Sequence, residues 1–295
     1  MKLSVIVIMH NMQREAARTL FSLSRAYQQN VAEDDYEIIA IDNGSSQPVD
    51  TKSLSSLTPN IRYHFHETSS VSPVEAVNLG AQMATGDAIA VIVDGARMAS
   101  PGLLCRSLDA LHLYPGAFVC ALSWHLGPDI QPITIQNGYN QSQEDAMLAD
   151  IHWQDNGYRL FDVSTLAPSS GMGFLNGFPT ECSWFCISRS TFLSMGGFNP
   201  AFQTPGGGQC NHDFRNRALH LPGVVPIALL GEGVFHQVHG GVATNARPDN
   251  QPHALFYAEH QRIKGEKLAH FQPAGTLYLG TMHASARRFI LPRKA

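Results

Sequence analysis

The stretch AIAVIVDGAR, residues 88–97, closes an apolar run with Asp94, turns at Gly95 and, one residue past Ala96, offers Arg97. A carboxylate in such a place is a hard oxygen ligand for a divalent cation. A guanidinium there is a permanent charge that grips phosphate in a bidentate fashion. Two earlier apolar runs end in the same manner: SVIVIM in His10 and Asn11, and EIIAI in Asp42, Asn43, Gly44 and Ser45. Asp-Gly and Asn-Gly pairs alone often do no more than turn the chain. Three polar clusters at equivalent places, each closing an apolar run, point to one shared crevice.

Elements able to position these clusters are legible around them. LSVIVIM (3–9), YEIIAIDNGSS (36–46), IRYHFH (61–66), DAIAVIVDG (87–95) and AFVCALSW (117–124) read as strands, most of them continuous β-branched or apolar runs suited to a sheet covered on both faces. Between them, residues 13–29, 72–86 and 100–114 carry helical spacing, the last two entered through Ser-Pro. This alternation predicts a doubly wound α/β fold, a mostly parallel sheet flanked by helices with its ligand site at the strands' carboxyl ends. Residues 125–180 break the pattern with Gly, Pro, Asn and Gln, relieved by one helical stretch at 142–153. Trp153, Tyr158 and Phe161 make that long excursion an ordered one. Strand, helix and Gly turn return over 183–198, a Gly-rich loop runs into a helix over 205–223, a strand ends in two histidines over 233–241, and a terminal amphipathic helix covers 251–271.

Composition narrows the classes. With 295 residues, 44% hydrophobic and 15% charged, the chain has volume for a sizeable core, and a net charge of -4 gives no reason to expect nucleic acid as partner. No run approaches the roughly 18 apolar residues of a membrane span. The N-terminus MKLSVIVIMHNM is too short and polar for a signal peptide. The five cysteines lack paired zinc spacing, and reduced thiols in a cytoplasmic protein fit them best. Arg287, Arg288, Arg293 and Lys294 make the C-terminus locally basic, a solvated tail or a contact with the inner face of a membrane.

In their order, SVIVIMHN, EIIAIDNGSS, AVNLGAQMATGDAIAVIVDG, MGGFNPAF, a Gly loop with Asp213 and Arg217, and VFHQVHGG make the sequence resemble a family 2 glycosyltransferase of the GT-A fold over about residues 3–241. The resemblance implies a Rossmann-like, nucleotide-diphospho-sugar transferase domain over 1–250, with a nucleotide-binding half in 1–124 and an acceptor-binding half in 125–250. A C-terminal helical extension and tail over 251–295 would follow. It implies an inverting hexosyltransferase of polysaccharide biosynthesis, taking a UDP-sugar donor and a glycan or lipid-linked acceptor.

Site roles follow from the same resemblance. His10, Asn11 and Asp42 take the places that hold nucleobase and ribose, and a carboxylate suits the imide N–H of uracil. Ser45 and Asn78 lie near the donor. Asp94 opens the family's Asp-x-Asp element, whose second carboxylate is here replaced by Ala96. Either His236 or His239 completes a manganese or magnesium site with Asp94, or Arg97 supplies the charge in place of the metal. The acidic pair that usually contains the general base is Cys210-Asn211, which leaves Asp213 as first candidate, His212 second and Glu181 third. Asp213 has a plainer reading, as a helix N-terminal carboxylate paired with Arg217. These departures motivate a competing function, a degenerate protein that binds a nucleotide-sugar without transferring it. A dinucleotide oxidoreductase is disfavoured by the absence of glycine in MHNMQRE, the turn after the first strand.

Overall fold

The computed structural model describes residues 1–50, 60–171, 177–246 and 252–284. In the first half, apolar runs and amphipathic segments alternate as β1 (Leu3–Met9), α1 (Gln13–Ser22), β2 (Tyr36–Asn43), β3 (Ile61–His66), α2 (Val74–Met83), β4 (Ala88–Ile92), β5 (Arg97–Ala99), α3 (Leu103–Leu113) and β6 (Ala117–Leu126). The second half adds α4 (Gln141–Asp150), β7 (Ser164–Leu166), β8 (Phe185–Ser188), α5 (Arg189–Ser194), α6 (Cys210–Leu219), β9 (Val225–His236), α7 (His253–Lys264) and β10 (Leu277–Leu279). One-turn helices lie at Gln131–Thr134 and Pro168–Gly171.

One sheet takes in all ten strands, in the order β10-β9-β6-β8-β4-β1-β2-β3, with β5 paired to β9 and β7 to β6. The pairs among β4, β1, β2 and β3 are all parallel, so these strands leave the sheet at one edge. β6 and β9 are also parallel to each other. Between the two blocks runs β8, antiparallel to both β4 and β6. Its entrance therefore lies at the edge where β4 exits. The mostly parallel α/β sheet expected from the sequence is present; the reversed strand and the three-residue strands were not foreseen.

Side chains of β1 alternate between the two faces, as the period of a strand requires. Val5 and Val7 join Leu20, Leu104 and Trp184 in one buried cluster, while Ile6 and Ile8 face Val77, Phe192 and Phe214 in another. Helices thus cover both faces. The excursion after β6 folds onto the sheet's end, where Leu148, Trp153 and Phe161 close a third cluster against Trp124 and Phe235. The sequence expectation of an ordered excursion rested on Trp153, Tyr158 and Phe161, all of which belong to this cluster or pack against it.

Several boundaries move for local reasons. The helix expected over 13–29 stops at Ser22, where the Gln28 side-chain amide donates to the Ser22 carbonyl at 2.6 Å and the Ser100 carbonyl at 2.9 Å. That amide satisfies a carbonyl the helix end would otherwise leave open. The terminal helix, expected over 251–271, ends at Lys264 because Gly265 takes a left-handed cap, φ 77°. No helix among the described residues is long and apolar enough to cross a membrane. The basic residues of 285–295 lie outside the described ones.

One glycine locks the site edge to the sheet. The Gly95 N–H donates to the Ile8 carbonyl at 2.7 Å, and a Cβ on Gly95 would stand 2.7 Å from that oxygen and 2.7 Å from Met9 Cγ. Backbone cannot yield there as a flexible side chain would. Gly95→Ala is expected to destabilise the fold by about 1–3 kcal/mol, the usual scale of overpacking, read as a lowered midpoint in thermal or denaturant unfolding.

Candidate active site

At the end of β1 the chain turns through Asn11, which holds a positive φ of 51°. Its backbone N–H donates to Ser45 Oγ at 2.7 Å, and its side-chain oxygen accepts from Ser46 Oγ at 3.1 Å and the Gln47 N–H at 3.2 Å. His10 Nδ1 lies 3.0 Å from the Asn43 carbonyl. The polar ends of β1 and β2 are thereby knitted together, and His10 and Asn11 remain exposed. Asp42, in contrast, has no exposed surface. Its carboxylate accepts from the Ser45 N–H at 2.9 Å and from the Tyr63 hydroxyl at 3.1 Å, so here it ties the turn.

Asp94 meets two histidines from the end of β9. His236 Nε2 lies 2.7 Å from Asp94 Oδ2, His239 Nε2 lies 3.4 Å from the same oxygen, and the two ring nitrogens are 3.1 Å apart. The chemistry of this set turns on Gln131. Its amide nitrogen donates to the His236 carbonyl at 2.9 Å, which leaves its oxygen facing His236 Nδ1 at 2.6 Å. An amide oxygen only accepts, so Nδ1 carries the proton and a neutral His236 presents the lone pair of Nε2 to its neighbours. Asp94 Oδ2 and His236 Nε2 then converge as acceptors with His239 Nε2 beside them, a set that fits a divalent cation once His239 is neutral. Burial pushes His236 down to about 3, and the Arg97 charge reinforces the effect against the pull of Asp94. Burial also disfavours charge on His239, but Asp94 outweighs it and raises that ring. Against its own burial, Asp94 is held well below the carboxylate range by the two histidines.

The histidine loop is clamped from outside. Glu144, wholly buried, accepts the Val238 N–H at 2.9 Å and the Arg14 guanidinium at 3.0 Å, while Gln141 Nε2 donates to the Val238 carbonyl at 3.3 Å. Burial pushes Glu144 up to about 7. Gln131, Gln141 and Glu144 were not identified from the sequence. Their partners lie about a hundred residues away, and no local motif marks them.

Arg97 points inward, only 8% exposed. Its Nη1 donates to Ser123 Oγ at 2.6 Å, its Nε stands 3.8 Å from Asp94 Oδ2, and its Nη2 stands 3.5 Å from Glu181 Oε1. Ser183 Oγ donates to that same Glu181 oxygen at 2.8 Å. The structure thus brings Asp94, Arg97, Glu181, His236 and His239 together on one edge.

Two other sequence candidates are occupied by structural partners. Asp213 is 2% exposed, with Oδ2 accepting from Arg217 Nε at 2.8 Å and Oδ1 paired to Lys264 Nζ at 2.9 Å. That geometry favours its plainer reading, an anion joining α6 to α7, over proton abstraction. Asn78 grips the peptide of Phe198 from both sides, donating to its carbonyl and accepting from its N–H at 2.9 Å each. It fixes the Gly-Gly-Phe turn, in which Gly197 has φ +67° and leaves no space for a Cβ beside the Asn78 oxygen. His212 Nδ1 faces the Thr180 carbonyl at 3.0 Å. Two cavities, of about 400 and 500 Å³, share no lining residue with this strand-end cluster.

Comparison with known proteins agrees with the geometry. The family model described as Glycosyl transferase family 2 matches residues 4–147. Among curated proteins, none is significantly similar to this sequence. The crystal structure of S. aureus TarS 1–349 in complex with UDP aligns at a TM-score of 0.53 and 14% identity, over 81% of this chain and 61% of that one. The TarS 1–349 complex with UDP-GlcNAc aligns at 0.52 and 14% identity, over 89% and 65%. The chain thus spans less than two thirds of those structures, and at such identity the likeness shows the shared GT-A fold.

One buried and one half-buried histidine, His125 and His212, give the fold a defined acid sensitivity. Burial pushes His125 and His212 each down to about 4, whereas an ordinary histidine titrates at 6.5. Between those values the unfolded chain binds more protons than the folded one, so stability is lost as pH falls through that window. Each ring contributes a slope of up to about 1.4 kcal/mol per pH unit. The melting temperature is expected to drop between pH 6.5 and 4.5. His125→Gln, which keeps an acceptor for the Gln131 N–H, should flatten the dependence in a calorimetric pH series.

Proposed function

We propose, from the premise that residues 4–147 are a glycosyl transferase family 2 domain, that the protein moves a sugar from a nucleotide-diphospho-sugar to a hydroxyl group. The observation that carries this reading is the convergence of Asp94, His236 and His239, whose ligand atoms all lie within 4.8 Å of one another. Such a set, at the edge where β1, β2 and β4 deliver their polar ends, suits a cation shared with a diphosphate. Asp94, His236 and His239 would hold manganese or magnesium. When bound, that ion would neutralise negative charge on the leaving diphosphate.

The chain's own residues perform the remaining work. Asn11, Ser45 and His10 form the turn against which nucleobase and ribose lie, and Asp42 holds that turn rigid. Arg97 stands beside Asp94 as a fixed guanidinium and stabilises charge that develops on the phosphates. Binding both substrates at one edge removes the entropy of bringing them together. Residues 1–124 then form the donor half and residues 125–250 the acceptor half, with α7 and the tail beyond. The UDP and UDP-GlcNAc found with TarS support a UDP-hexose donor. A glycan or lipid-linked acceptor, inversion at the anomeric carbon and a cytoplasmic site near a membrane's inner face belong to the same proposal. The alternative of a binding protein without turnover is not favoured, because the family model matched over residues 4–147 is that of glycosyl transferases.

A thermal-shift series with UDP tests this reading. UDP at about a hundred times its dissociation constant stabilises a native site by roughly 2.7 kcal/mol, a rise of several degrees. That rise is expected with manganese, lost on chelation, and absent in Asp94→Ala. A rise that survives the chelator would transfer the role to Arg97. No rise with UDP under any condition would overturn the donor assignment.

A further inference from the structure

We infer that Glu181 is the general base that takes the acceptor's proton, an assignment that rests on the glycosyltransferase reading above. The need for such a residue follows from chemistry, since a sugar hydroxyl is a poor nucleophile until its proton has somewhere to go. In the helix that follows the Gly-rich loop, Cys210 is buried and Asn211 cannot accept a proton at neutral pH. Asp213 is enclosed between Arg217 and Lys264. Asp42 and Glu144 are wholly buried, and Asp94 is held by two histidines. Glu181 keeps 19% of its side chain exposed at the same edge.

Its place follows from the direction of β8. Val91 pairs with Phe185 in antiparallel register, so the chain entering β8 passes the loop by which β4 leaves. Residues 181–183 therefore stand opposite Asp94–Arg97. The guanidinium of Arg97 separates the two carboxylates, 3.8 Å from Asp94 and 3.5 Å from Glu181, and Ser123 pins it at 2.6 Å. One end of the edge then meets the diphosphate and the other meets the acceptor, with a fixed positive charge between them. Ser183 orients the Glu181 carboxylate through its hydroxyl. His125 and His212, both held neutral by burial, feel the Glu181 charge and supply no competing base of ordinary strength.

In the transfer, the acceptor oxygen forms a bond to the anomeric carbon while the bond from that carbon to the diphosphate oxygen breaks. The electron pair of the broken bond leaves with the diphosphate. The acceptor's proton passes to the Glu181 carboxylate, which later returns it to solvent. A single displacement of this kind inverts the anomeric centre.

The test uses the full chain with manganese, UDP binding by calorimetry, and UDP release from UDP-glucose, UDP-galactose and UDP-GlcNAc with water as acceptor. Glu181→Gln is expected to lower kcat by about 10²–10⁴-fold, with the UDP dissociation constant and donor KM within about threefold of wild type, the pattern of an interaction made only in the transition state. Glu181→Asp should recover part of the rate at unchanged UDP affinity, and it keeps the assignment testable should the Gln variant unfold. A Gln variant within about fivefold of wild-type kcat would overturn the assignment. So would loss of UDP affinity in step with turnover, the mark of a donor-positioning role. Wild-type protein that binds UDP but releases it from no donor would also overturn the base while leaving the donor site intact. Wild-type protein that does not bind UDP would instead bring down the reading beneath it.

Discussion

Asp94 Oδ2, His236 Nε2 and His239 Nε2 face one another within hydrogen-bonding range or just beyond it, and the carboxylate and the His236 lone pair need a positive charge between them, whether a proton on His239 or a cation. Everything around the cluster resists its relaxation. Gln131 forbids His236 from turning its protonated nitrogen toward Asp94. Glu144 and Gln141 hold the peptide groups of Val238, midway between the histidines, so the loop cannot swing outward. Arg14 ties Glu144 back to α1. Ligand atoms kept in place by buried polar partners are what a preorganised cation site requires.

The same packing accounts for Ala96, where the family pattern has a second carboxylate. Ala96 has no exposed surface. Its N–H donates to Asp94 Oδ1 at 3.1 Å, and its carbonyl accepts the Gln237 N–H at 2.9 Å, which fastens the loop after β4 to the end of β9. Next to it, β5 pairs Arg97 with His236. A carboxylate at position 96 would have to be buried, a costly arrangement unless it is paired. The charged and ligating groups at this edge are instead Arg97, one residue on, and the two histidines at the end of the strand that β5 pairs with.

Much of this was legible in the sequence, and the remainder was hidden for identifiable reasons. Apolar runs ending in Asn11, Asp42 and Asp94 marked the strand ends, because burial on both faces of a parallel sheet leaves a compositional signature. His236 and His239 were reached through the resemblance, as alternatives, because the end of a later strand is where the family often places a metal-binding histidine. The three-residue strands β5, β7 and β10 are too short to show a period, and the four residues FCIS of β8 say nothing about direction. Yet direction decides which residues reach the edge: a parallel β8 would have delivered Ser188 there in place of Glu181. Asp42 and Asn78 illustrate the converse. Their residue types suit a ligand, but Asp42 is taken up by its own turn through Ser45 and by Tyr63, and Asn78 by Phe198, and for Tyr63 and Phe198 no local pattern announces the partner.

Cys210 shows why the acidic pair could be lost without loss of the fold. Its side chain lies in the cluster that contains Phe185, Phe198 and Phe214, directly beneath Gly207, where a Cβ would come within 2.6 Å of the sulfur. Burial pushes that thiol up to about 12, so it stays neutral and behaves as a small apolar group. Glu259 accepts the backbone N–H groups of Gln203 and Thr204 at 2.8 and 3.0 Å, fastening the loop above it to α7. A carboxylate at 210 would therefore enter an aromatic core under a tightly held loop, at the expense of desolvating a charge with no cation beside it. The start of α6 has become a packing element here. The carboxylate that the fold does deliver to this edge comes from another segment, since the reversed entry of β8 brings Glu181 to the guanidinium of Arg97.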